Sequence, residues 1–188
     1  SCAKFATPPL LKNYVSPKPL AKLVAIKDAV NALPEGKYKD LFRLALAAII
    51  LPSSNVRNSP NFGLIKPPVD DVNVIELLER KVSQMAADLF FLRGQGGPSA
   101  SDAIKGDARA MSTTLPHDFD HIITSPPYPQ EHDYSRTTRV ELVLLDYLTD
   151  MQELRALKKT MLRASTRNVY SEDQDYQLVS RFDNIRDV

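Results

Sequence analysis

The sequence predicts an α/β chain that is predominantly helical, with a small number of parallel strands. Three observations predict it. Apolar residues recur at helical spacing over several long stretches. Two short apolar runs, Ala103 to Gly106 and Phe119 to Thr124, stop abruptly at Asp107 and at Ser125-Pro126-Pro127-Tyr128. Prolines, glycines and small polar residues separate these segments. Two successive prolines cannot continue a central strand, because each lacks the N–H that a ladder needs. The second run therefore reads as a buried strand ending in a rigid loop. That loop presents one hydroxyl, two carbonyls and one aromatic ring, which suits gripping a planar base through an exocyclic amino group.

In chain order, Thr7-Pro8-Pro9 and Ser16-Pro17-Lys18-Pro19 favour extended or turn backbone. Leu20 to Leu33 reads as a helix, with Leu20, Leu23, Val24, Lys27 and Val30 on one side and Pro34 as its stop. Tyr38 to Leu51 reads as a second helix with Leu41, Leu44, Ala45, Ala48 and Ile49 as its buried stripe, ended by Pro52. Ser53 to Asp70 reads as a loop without regular structure. A polar loop of this length is unusual in a compact domain unless it is functional or disordered. Its Arg57, between Asn55 and Asn58, suits phosphate or base edges, while an ordinary surface crossover has the same composition.

Val74 to Leu92 is the clearest helix, with Val74, Leu77, Leu78, Val82, Met85, Leu89 and Leu92 in one stripe. Asp70 and Asp71 are expected to cap it and to oppose its dipole. Gly94-Gln95-Gly96-Gly97-Pro98 follows a helix, whereas a dinucleotide loop follows a strand, so it reads as a hinge or linker. It divides a helical segment, 1–98, from a second segment, 99–188, that carries the Ser-Pro-Pro-Tyr loop. Asp107 ends the first expected strand, where ligands lie in doubly wound sheets; a helix N-cap is an equally good role for it. Tyr134 to Leu148 reads as a helix with Val140, Leu144, Tyr147 and Leu148 inward and Glu141 on another face. Met151 to Leu162 continues helically, and its Arg155, Lys158 and Lys159, with Arg163 beyond, read as a solvated face.

With 188 residues, 43% hydrophobic and 25% charged, the chain has the composition of a soluble globular domain. No apolar run approaches the ~20 residues that cross a bilayer, so no membrane partner is expected. One cysteine, Cys2, excludes an internal disulfide framework and a cysteine zinc site, which fits a reducing, cytoplasmic setting. His117 and His121 have no metal-ligand companions at helical spacing, so no metal is expected. The net charge is only +1, yet residues 1–59 hold nine Lys and Arg against three acids, while residues 171–188 hold two against five. Basic segments beside an acidic tail fit a nucleic-acid-facing side, and solvated helix faces give the same counts. The first residue is serine, so the chain reads as a processed product or a piece of something longer.

Thr124-Ser125-Pro126-Pro127-Tyr128 resembles the catalytic loop of S-adenosylmethionine-dependent DNA amino-methyltransferases, which methylate cytosine N4 or adenine N6. The similarity is an ordered series: Gly106-Asp107-Ala108, then Leu115-Pro116, Phe119-Asp120, the loop itself, and His132-Asp133-Tyr134-Ser135-Arg136. It extends more loosely to Ser54 through Pro60 and to Ser165 through Tyr170. The resemblance implies a partial Rossmann-like methyltransferase fold and a restriction-modification setting, with cytosine N4 favoured by the serine. It implies Ser125, Pro126, Pro127 and Tyr128 as catalytic residues and Asp107 as an acceptor for the adenine amino group of S-adenosylmethionine. Arg57, Tyr134, Arg136, Arg139 and Arg167 are the residues expected to meet DNA.

An exocyclic amine is a poor nucleophile because its lone pair is delocalised into the ring. The Ser125 side chain and the Pro126 carbonyl are expected to accept from its two N–H groups, so that nitrogen becomes more tetrahedral as the methyl approaches. Proline fixes the backbone, so the carbonyl is already aimed. Tyr128 is expected to stack on a flipped base, worth ~1–3 kcal/mol.

These enzymes also carry a cofactor loop resembling Asp-Pro-Phe-x-Gly-x-Gly, and none of the six glycines here sits in such a setting. The expectation is therefore a fragment whose cofactor site needs a complementary chain or a homodimer partner, and which alone binds S-adenosylmethionine weakly or not at all. Two other classes remain open: a catalytically silent DNA-binding or regulatory remnant, and an RNA amino-methyltransferase relative.

Overall fold

A computed structural model of the chain describes residues 8–57, 63–96, 100–106, 119–125, 134–160 and 177. A 3₁₀ turn at Pro9–Leu11 buries Leu10 and Leu11 and leads into helix α1, Pro17–Asn31. Pro17 and Pro19 lie in the first turn of α1, where a missing N–H costs nothing. Gly36, at φ 138°, makes the turn into α2, Lys37–Ile50; a side chain there would be strained. Strands β1, Val56–Arg57, and β2, Gly63–Leu64, follow, and then α3, Val74–Gly94. After residues 100–106 and 119–125 come α4, Tyr134–Thr137, α5, Arg139–Leu144, and α6, Met151–Thr160.

Helices α1, α2 and α3 pack on one another, α5 packs on α2 and the 3₁₀ turn, and α4 touches α5 and α6. One continuous apolar core joins Leu20, Leu23 and Val30 of α1 with Leu46, Ile49 and Ile50 of α2, Val74 of α3, and Val140, Leu144, Leu148 and Leu154. The described structure is thus mostly helical with a little β-structure, as the sequence predicts at that level.

Several finer expectations are corrected. Helix α2 is turned by about one residue from its expected orientation. Ala45, Leu46, Ile49 and Ile50 face the core, whereas Leu44 is 62% exposed and Ala48 is also outside. The run Leu-Ala-Leu-Ala-Ala-Ile-Ile is apolar nearly throughout, so periodicity does not fix its phase. In α3 the expected stripe is buried at Val74 and part-buried at Leu77 and Leu78, but Leu89 and Leu92 are exposed. Phe90 and Phe91 beside them are 81% and 65% exposed. The cap of α3 is Asn73: its Oδ1 accepts the Glu76 N–H at 3.3 Å, and its Nδ2 donates to Glu76 Oε2 at 3.0 Å. Asp70 and Asp71 instead pair with Lys18 and Lys22 of α1.

The polar stretch 53–70 is not free of regular structure, because β1 and β2 pair antiparallel with Val56 opposite Leu64 and Arg57 opposite Gly63. This is the one ladder among the described residues. Neither 100–106 nor 119–125 forms a strand, and both are exposed. A lone extended segment cannot satisfy its own N–H and C=O groups, and neither has a neighbour in a ladder.

The expected helix 134–148 is broken at Thr138, where the Thr137 and Thr138 hydroxyls both turn back onto the Tyr134 carbonyl at 3.0 and 2.8 Å. It ends early, since Asp146 adopts a left-handed φ of 61° and the Tyr147 and Leu148 N–H groups return to the Leu142 carbonyl. That turn points Leu148 inward and leaves Tyr147, expected inside, 71% exposed.

Candidate functional site

Of the predicted nucleic-acid residues that are described, Arg139 reaches Tyr14, Arg57 follows a segment that also bonds to it, and Tyr134 and Arg136 lie on α4, which packs against α5. The Asn55 N–H donates to the Tyr14 carbonyl at 2.7 Å, tying the loop after the 3₁₀ turn to the start of β1. Arg57, two residues on, is exposed on β1. From the other side, Arg139 of α5 donates from Nη1 to Tyr14 Oη at 3.3 Å, and its guanidinium carbon lies 5.8 Å from the ring centroid. This is within cation–π range. Tyr134 and Arg136 occupy α4, one turn before Arg139; Tyr134 is half-buried and Arg136 is exposed.

The electrostatics of this region distinguish its two arginines on α4 and α5. Arg139 is partly buried, and its Nε is shut from water with no acceptor among the described residues. It is a stacked, positioned cation. Arg136 is the more exposed of the two, on a helix that buries Ser135. Glu141, two residues on from Arg139, has a buried Oε2 without a donor among the described residues, and burial holds its carboxyl above the usual carboxylate range. Helical spacing puts Glu141 on a different face from Val140 and Leu144, and it assigns no role to Tyr14. A tyrosine beside prolines carries no periodic signal that would have revealed it.

Asn55, a loop residue by sequence, holds this region together. Its side chain is buried, with Oδ1 accepting the Val69 N–H at 3.0 Å and Nδ2 donating to Ser16 Oγ at 3.2 Å. Its carbonyl accepts the Ile65 N–H at 2.7 Å. Ser16 in turn donates to the Val69 carbonyl. One side chain therefore ties the segments before β1 and after β2 to the entrance of α1.

Ser125 ends the exposed segment 119–125, in which Ile122 and Ile123 are 79% and 99% exposed. Pro126, Pro127, Tyr128, Asp107 and Arg167 lie outside the described residues. Among the described residues, no group of His, Cys, Asp and Glu is gathered to hold a metal ion, and no helix is long and apolar enough to cross a membrane.

Comparison with known protein families, with curated proteins and with solved structures finds no match to this chain.

Proposed function

We propose that the chain carries the target-base loop of a DNA amino-methyltransferase and takes part in methyl transfer from S-adenosylmethionine to an exocyclic amine, cytosine N4 before adenine N6. The observation that carries this reading is the ordered series Gly106-Asp107-Ala108, Phe119-Asp120 and Ser125-Pro126-Pro127-Tyr128. In the reaction the bond from sulfur to methyl breaks as the bond from nitrogen to carbon forms. The amine then loses a proton, and S-adenosylhomocysteine leaves. Ser125 and the Pro126 carbonyl accept the amine N–H groups, Tyr128 stacks on the base, and Asp107 serves the cofactor's adenine. Arg57, Arg136 and Arg167 meet phosphates, with Tyr134 beside them, and Arg139 supports that surface through Tyr14.

Two features support an assembly with a further chain, either a complementary half or a second copy. The sequence contains no glycine loop of the cofactor type, and Ile122 and Ile123, just before Ser125, are both exposed. In this reading, 119–125 is a strand of a partial Rossmann-like parallel sheet that the partner completes. A cytoplasmic protein of a restriction-modification system is the setting proposed. The lack of the glycine loop also favours a second reading, a silent DNA-binding remnant.

Calorimetric titration with S-adenosylmethionine and S-adenosylhomocysteine, alone and with a candidate partner, is followed by transfer of labelled methyl to DNA. The assembled protein is expected to label cytosine N4, and Ser125→Ala is expected to lower the rate about a hundredfold, by analogy with loss of one preorganised catalytic hydrogen bond. Labelling that Ser125→Ala leaves unchanged sinks the catalytic reading. DNA binding without labelling selects the silent remnant.

A further inference from the structure

A groove of about 660 Å³ lies between α1, α2 and the turn that ends α5, a volume typical of small-ligand sites at roughly 300–1,000 Å³. Its polar wall has more donors than acceptors. Lys39 is 5% exposed, and its Nζ donates to the Asn31 carbonyl at 2.9 Å and to Glu35 Oε1 at 2.6 Å. An ammonium has three N–H groups, so this buried lysine retains one. Lys27 holds both oxygens of Asp146 at 2.8 and 3.0 Å, which occupies that acid and fixes the left-handed turn at the groove's edge. The Arg43 guanidinium has no hydrogen-bond acceptor among the described residues. Asp40, one turn before Arg43, is the lining acid not held by a lysine.

The remaining wall is apolar and aromatic. Leu44 and Tyr147 line the groove and are 62% and 71% exposed. Both depart from the orientation their helical spacing predicts, and both expose a large side chain to the same opening. A ligand that suits this wall has several anionic acceptor oxygens at one end and a flat apolar body at the other. Phosphate matches the guanidinium fork in geometry and charge, and an aromatic ring matches Tyr147.

We propose that this groove binds a phosphate monoester carried on a planar ring, the chemistry of a mononucleotide, with Arg43 and the free Lys39 N–H on the phosphate and Tyr147 against the ring. The site uses none of the residues assigned to methyl transfer and stands or falls independently of that reading. The nucleotide is either free or the 5′-phosphorylated end of a strand.

The test is calorimetric titration of the full chain with adenosine 5′-monophosphate, adenosine, inorganic phosphate, and a short oligothymidylate with and without its 5′-phosphate. Saturable binding of the monophosphate is expected, with adenosine and phosphate each at least tenfold weaker. Arg43→Ala is expected to weaken it about tenfold or more, and Tyr147→Ala severalfold. Both positions are exposed, so circular dichroism should show both variants folded. Tighter binding of the 5′-phosphorylated strand than of the monophosphate identifies a strand end as the source; the reverse order identifies the free nucleotide. Absence of saturable binding at millimolar ligand overturns the proposal. So does an affinity unchanged by Arg43→Ala, or inorganic phosphate binding as tightly as the monophosphate.

Discussion

The Asn55 side-chain oxygen accepts the backbone N–H of Val69 at 3.0 Å, closing the β-ribbon loop across fourteen residues. Asn55→Ala removes that acceptor and leaves the part-buried Val69 N–H without it, while Ser16 loses a donor. The expected cost is about 2–3 kcal/mol, read as a lower urea midpoint with an unchanged slope. Asn55→Asp keeps the acceptor but buries a charge beside the Asn13 carbonyl, and is expected to be no better than alanine. A loss below half a kcal/mol for both would show that the loop is held elsewhere.

Leu46 and Leu44 lie two residues apart on α2 and are expected to behave oppositely. Leu46 is 2% exposed, so Leu46→Ala leaves a cavity costing about 2–5 kcal/mol. Leu44→Ala touches no core and is expected to stay within about 0.5 kcal/mol. Chemical denaturation of the pair tests the helix phase directly. A larger loss at Leu44 than at Leu46 would restore the phase that periodicity suggests.

That phase error marks where the sequence is legible. Helix existence follows from length and from apolar spacing, and α1, α2, α3 and α6 all fall close to their expected bounds. Phase within α2 does not, because nearly every residue of its second half is apolar and any face satisfies the pattern. The α3 stripe is correctly periodic, but periodicity does not state how far a neighbour extends along it, and Leu89 through Leu92 lie beyond the contact. Asn55 was invisible for a different reason. A polar residue in a polar loop looks solvated until its partners, Ser16 and Val69, are brought beside it by the fold. Of the candidate site, the motif at Ser125 is legible as sequence chemistry alone, whereas the Arg139–Tyr14 contact depends on residues far apart in the chain.

Asn73 and Glu76 satisfy each other at the start of α3. Asn73→Ala is expected to cost about 1 kcal/mol through loss of the cap. Asp70→Asn, which removes an exposed ion pair with Lys18, is expected to cost less and to matter only at low salt. Thermal melts at two salt concentrations separate them. A larger, salt-sensitive loss at Asp70 would move the helix start to the acids.

Glu141 is expected to make stability fall with rising pH. Burial raises its folded-state affinity for a proton, and its Oε2 finds no donor among the described residues. At a pH below the ordinary carboxylate range, the group is protonated in both states and exerts no penalty. As pH rises through the unfolded value and then through the raised folded value, the unfolded chain releases its proton first, so native stability declines. Above the folded value the penalty is complete and constant. Glu141→Gln keeps the shape without the charge and is expected to stabilise the protein at pH 7, with the gain shrinking to nothing in acid. Urea titrations of both proteins between pH 3 and pH 8 give the difference curve. A gain that is flat with pH would assign it to packing, and a loss at pH 7 would show that the carboxylate has a partner in solution.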